Sequence, residues 1–179
     1  MVNLSKHLIL LELNEINFDL VAEYIAIFPG RFPAIERLLS GCSIRTTSEQ
    51  NYADLEPWIQ WPSVHTGLTY REHGIFRLGD IVSSNSPQIF ECIEKEGYGV
   101  GVVSAMNAEN RLDHPAYFIP DPWTNTNPDN SWWSRSLSEA ISQSVNDNTQ
   151  AKISLKSIFQ LLLGMVRFAR FKNYSTYLS

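Results

Sequence analysis

The chain has 179 residues, 44% apolar and 18% charged, enough for one ordinary domain with a core and too apolar for a disordered chain. Residues 1–150 carry nine Lys and Arg against nineteen Asp and Glu, a balance of −10, which excludes nucleic acid as the expected partner because phosphate binding needs a basic surface. Residues 151–179 carry five Lys and Arg and no acid.

Residues 8–13 form an apolar run interrupted only by Glu12, the length of a buried parallel strand. The run is too short and too soon charged for a signal peptide or a membrane span, so a cytoplasmic location is expected. Asn14-Glu15 ends it, and the pair suits the start of the helix that follows. Helical spacing over Phe18–Ile27 places Phe18, Val21, Ala22 and Ile25 on one side. Pro33–Leu39 reads as a second short helix, with its proline in the first turn and Gly41 beyond its end. Residues 42–47 are β-prone.

The stretch 48–86 is aromatic, polar and weakly periodic. Long irregular segments of this kind usually serve a site. One short helix is expected to start near Pro62. Residues 87–96 form an amphipathic helix with Ile89, Phe90 and Ile93 inward and Gly97 at its end. Residues 100–104 (VGVVS) are a second parallel strand. Residues 113–133, with four Pro and three Trp, read as an ordered loop. Residues 137–145 are a helix capped by Ser134 or Ser136, and 153–171 are a last helix. Cys42 and Cys92 lie far apart, which suggests two reduced, partly buried thiols. Strands alternating with helices indicate an α/β fold: a three-layer sandwich with a mainly parallel sheet over residues 1–150, followed by a basic amphipathic helical tail over 151–179.

Two places can carry chemistry. The first is Glu12, Asn14 and Glu15 at the end of the first strand, where open parallel sheets bind ligands and where acids and amides can hold a metal. The second is the run from Leu55 to Ile75, which contains Trp61-Pro62-Ser63, Thr66-Gly67-Leu68 and Glu72-His73-Gly74-Ile75. This string resembles the nucleophile region of the alkaline-phosphatase-like phosphodiesterases and nucleotide pyrophosphatases, and the resemblance extends over about residues 8–125.

The resemblance implies an alkaline-phosphatase-like core, incomplete at its C-terminal side, and a hydrolase or transferase acting on phosphate esters or diesters. It puts Asn14 at the metal-ligand position, where the family has Asp. It puts Gln60 at the nucleophile position, where the family has Thr or Ser. A neutral amide binds divalent ions more weakly than a carboxylate, and Gln offers no hydroxyl nucleophile. Ser63 is the nearest hydroxyl, on the wrong side of Pro62. Glu56, Trp58 and His65 are the expected substrate contacts. His73, before Gly74, is expected to be structural. A divalent metal, zinc or manganese, is implied for a full-length parent, with none bound tightly by this chain, which lacks the downstream Asp and His pairs of the family.

Two readings follow: a catalytically impaired relative or fragment of such an enzyme, or a non-catalytic module for a small phosphorylated or sugar-containing ligand. The aromatics of the two long loops suit stacking on a sugar or base, or equally a small core of the loops themselves. The tail, with an apolar stripe beside Lys156, Arg167 and Arg170, suits a peripheral membrane or partner contact, or packing on its own domain.

Overall fold

The computed structural model describes residues 7–42, 44, 46–146, 154–170 and 173–174. Among them are seven α-helices and one parallel pair of strands, an α/β arrangement in the coarse sense. The helices are α1 (Phe18–Ile27), α2 (Pro33–Leu39), α3 (Pro57–Thr66), α4 (Tyr70–His73), α5 (Ile89–Lys95), α6 (Trp132–Asn146) and α7 (Leu155–Phe168), and the strands are β1 (Gly101–Val103) and β2 (Tyr117–Ile119). The chain divides into two units, Met1–Ser48 and Glu49–Ser179.

In the first unit α1 and α2 occupy the residues that periodicity assigns them. Asn17, not Asn14 or Glu15, caps α1: its side chain accepts from the Leu20 amide at 3.0 Å. Asn14 and Glu15 form a turn ahead of it, with Glu15 at φ 57°. Residues 7–13 are irregular, and Leu8, Ile9, Leu10, Leu11 and Leu13 are exposed, so the first expected strand does not form here. An apolar run becomes a strand only beside a partner that takes its backbone groups. Residues 42, 44, 46 and 47 are also irregular, and the rest of that expected strand lies outside the described residues.

The second unit has a core of Phe90, Val100, Val102, Ala105, Ala108 and Phe118, with Ile89, Ile93 and Leu112 packed against it. This is the inward face assigned to α5, meeting the strand read from VGVVS. Gln88 caps α5 in a capping box with Glu91, and Gly97 turns the chain away at φ 84°. The partner of β1 comes from the stretch expected to be loop. Gly101, Val102 and Val103 stand opposite Tyr117, Phe118 and Ile119. A Cβ on Gly101 would lie 2.2 Å from the Tyr117 ring, so the glycine is what lets that ring cover the strand.

α6 begins at Trp132, five residues before its expected start. Its cap is Ser131, whose hydroxyl accepts from the Ser134 amide at 3.1 Å, so neither Ser134 nor Ser136 caps it. α7 spans fourteen residues within the expected 153–171, and residues 153 and 171 lie outside the described set. Cys42 and Cys92 are free thiols, but exposed rather than partly buried. No helix among the described residues is long and apolar enough to cross a membrane.

Candidate functional site

The segment 48–86, read as mostly irregular, is instead built of short helices. α3 starts at Pro57, not near Pro62. Pro57 at its first position brings a preset φ and lacks only an amide hydrogen that would have had no partner there. Pro62 sits inside the helix, where a missing N–H leaves the carbonyl four residues back without its donor. That carbonyl belongs to Trp58, and it accepts from Asn107 Nδ2 at 2.7 Å. A distant side chain therefore supplies the hydrogen bond that the proline removes.

Asn107 ties four segments together. It is fully buried, with a left-handed backbone (φ 53°), just past the end of β1. Its second amide hydrogen goes to the Arg77 carbonyl at 3.1 Å, and its Oδ1 accepts from the Gly79 amide at 2.9 Å. Its own amide donates to Asp121 Oδ2 at 2.9 Å. Asp121 in turn accepts from the amides of Trp123 and Thr124 and from the Thr124 hydroxyl. Every hydrogen-bonding group of the Asn107 side chain except one acceptor lone pair is used. Sequence reasoning missed this residue. The one available signal was its place after the carboxyl end of a parallel strand.

Gln60 lies on α3, half-buried, and its Nε2 donates to the Asp54 carbonyl at 2.6 Å. Glu56 is exposed at the N-cap position, and the Trp58 side chain is half-buried at the start of the helix. His65 is 1% exposed, stacked on Trp61 at 6.0 Å and tilted against Phe90 at 5.2 Å. Gln60, Glu56, Trp58 and His65 thus share one helix and its cap. Glu12, Asn14 and Glu15 belong to the first unit, on exposed or half-exposed positions of an irregular segment and its turn.

α3 and α4 are joined by a Ser–His contact: Ser63 Oγ and His73 Nε2 are 2.9 Å apart. The proton's position follows from the other ring nitrogen. The Ile75 amide donates to His73 Nδ1 at 2.9 Å, so Nδ1 carries a lone pair and the neutral ring carries its hydrogen on Nε2. His73 therefore donates to Ser63, and the Ser63 hydroxyl has a long 3.5 Å contact with the Ile59 carbonyl as its own acceptor. A general base would need Nε2 without its hydrogen, accepting from the serine. The pair holds Ser63 and does not activate it. Burial depresses the His73 pKa, against the attraction of the Glu49 and Glu72 carboxylates, which favours this neutral form.

Carboxylates complete the framework. Glu72 closes the α4 capping box, and hydrogen bonds from the Thr69 amide and then the Thr69 hydroxyl hold its carboxyl below the usual range. Burial raises the Asp129 carboxyl more than any other single influence. Hydrogen bonds from the Ser134 hydroxyl, the Phe118 amide and Ser131 together outweigh it, and the net shift is downward. Arg111 reaches the carbonyls of Ile81, Ser84 and Ser86 and pairs with Glu109, fixing the turn Asp80–Ser83 and the residues after it. Beside it, His73, Gly74, Ile75, Asp80, Ser83 and Ser84 line an open concavity of about 240 Å³.

Among the described residues no three His, Cys, Asp or Glu side chains converge as a metal cluster. Glu12 lies on the irregular segment and Asn14 and Glu15 on the turn after it. No family model, curated protein or solved structure matches the chain.

Proposed function

We propose that the chain derives from a phosphoester-handling protein resembling the alkaline-phosphatase-like phosphodiesterases, a three-layer sandwich with a mainly parallel sheet in the longer parent. Its 56–75 segment would hold a small phosphorylated or sugar-containing ligand without cleaving it. One observation carries the second statement: the nucleophile position offers no attacking oxygen. Gln60 lacks a hydroxyl and its amide nitrogen is committed to the Asp54 carbonyl, while the nearby Ser63 oxygen accepts a hydrogen bond from His73 Nε2–H and so has no base to take its own hydrogen. Glu56 and Trp58, exposed and half-buried at the start of α3, are the proposed direct contacts, and His65, 1% exposed and packed against Trp61 and Phe90, would act only as a positioning residue. A hydrolase or transferase reading rests on the order of Trp61-Pro62-Ser63, Thr66-Gly67-Leu68 and Glu72-His73-Gly74-Ile75. In that reading Glu12, Asn14 and Glu15 would help to hold zinc or manganese, which would supply a metal-activated water in place of a side-chain nucleophile.

A chromogenic phosphodiester tests both readings on the 179-residue chain. The expected result is no turnover, with or without added zinc or manganese, and amide chemical-shift changes confined to residues 56–75. Turnover that disappears in Asn14→Ala would overturn the non-catalytic reading. Absence of any shift with diester, monoester and simple sugars would overturn the binding reading.

A further inference from the structure

α7 faces the wrong way for a helix that covers a core. The residues it buries are Ser157, Gln160 and Gly164, at i, i+3 and i+7, and the helix packs on α6. The approach is close: a Cβ on Gly164 would stand 3.0 Å from Leu137. Polar contacts line the same seam. Lys156 Nζ donates to Glu139 Oε2 at 2.8 Å, Gln160 Nε2 to the same oxygen at 3.3 Å, and Phe168 meets the Trp133 ring edge-on at 5.4 Å.

The apolar side points out. Leu155, Phe159, Leu162 and Val166, at i, i+4, i+7 and i+11, are 86, 61, 55 and 70% exposed. They form one straight stripe on the side of the helix away from the α6 seam, about 17 Å long at the usual rise of ~1.5 Å per residue. Arg167 follows Val166 at the C-terminal end of the stripe, and Arg170 is exposed just beyond the helix. From residue 148 to the end the sequence holds no acid, and Lys152 and Lys172 add to its positive charge.

We propose that this outer face of α7 is a docking surface for an anionic lipid bilayer, with the helix lying flat. The stripe enters the acyl boundary and the arginines reach the headgroups. The charge selects this occupant over a second copy of the chain. A second copy would offer its own α7 and the sequence after it, which from residue 148 on hold no acid to meet Arg167 and Arg170. An anionic headgroup layer meets the same cations favourably.

The test uses the full chain with vesicles of phosphatidylcholine alone and of phosphatidylcholine with phosphatidylserine. Co-sedimentation is expected only with the serine lipid and is expected to weaken with salt. Arg167→Gln with Arg170→Gln should weaken it about 25-fold, from roughly fivefold per cation. Phe159→Ser with Val166→Ser should abolish it while leaving the helical circular dichroism unchanged, because both side chains are exposed. Equal binding to both vesicles, no binding to either, or binding that survives the serine substitutions would overturn the proposal. So would a dimer in lipid-free solution that those substitutions dissociate, because the second copy would then be the occupant.

Discussion

Residues 7–42 and residues 56–129 use opposite strategies. The first stretch is rich in Leu, Ile and Phe, forms two helices, and buries none of its described side chains. The second builds an apolar core around Phe90, Val102 and Phe118 and buries polar residues as well. Asn107, Gln88 and Asp121 are buried and hydrogen-bonded to backbone drawn from segments up to 49 residues away. Apolar content alone therefore does not locate the core of this chain. What locates it is the set of long-range partners that satisfy backbone groups freed by prolines, turns and strand ends.

The largest expected effect is in amide exchange. Amides in α1 and α2 should exchange through local opening that costs almost nothing. Those of Phe118 and Ser104, bonded to Asp129 and to Ile119, should wait for global opening, with about thousandfold greater protection. Equal protection in the two stretches would erase the contrast.

Next is Asn107→Ala, which strands the Trp58 and Arg77 carbonyls and the Gly79 amide together. It should cost about 3–5 kcal/mol in urea unfolding, from ~1–3 kcal/mol for each buried group left without a partner. Restoring the helical donor with Pro62→Ala in the same chain should recover part of that loss, since an alanine at that position would again bond the Trp58 carbonyl. A cost below ~1 kcal/mol would show that Asn107 does not hold α3.

Gly101→Ala should cost about 2 kcal/mol, because the new methyl displaces the Tyr117 ring from the strand. Gly101→Ala with Tyr117→Ala should lose less than the two single changes summed, which a double-mutant cycle reads directly.

Much of this was legible in the sequence where signals are local. The bounds of α1 and α2, the inward face of α5 and the parallel character of VGVVS follow from periodicity, proline position and glycine stops. β2 was not legible, because three residues between Pro115 and Pro120 carry too little period-2 pattern to stand out from a loop. The start of α3 was missed because Pro62 looked like a first turn, and only Asn107, 49 positions away from Trp58, makes an interior proline tolerable. The α6 cap fell on Ser131 because Asp129 fixes that serine's amide at 2.7 Å, a contact that spacing does not reveal. At the candidate site, the expectation that Gln60 stands where a hydroxyl would be needed rests on the family resemblance alone. The direction of the Ser63–His73 hydrogen bond came only from the Ile75 amide.

The smallest expected effect concerns pH. The folded His73 pKa lies below the ordinary value of 6.5, so the unfolded chain takes up a proton that the folded chain resists. This contribution is complete above pH 6.5 and is lost as pH falls from there toward the folded pKa. The urea midpoint of the native chain should therefore drop more between pH 7 and pH 5 than that of His73→Asn. Identical slopes would mean that His73 titrates alike in both states.

The account turns on where the His73 proton sits, and nitrogen-15 NMR of the imidazole reads it directly. A neutral ring at pH 7 with its hydrogen on Nε2 is the result the account predicts: Ser63 is then held in place and not activated. A hydrogen on Nδ1, leaving Nε2 free to accept from Ser63, would contradict it and make the pair a working nucleophile and base.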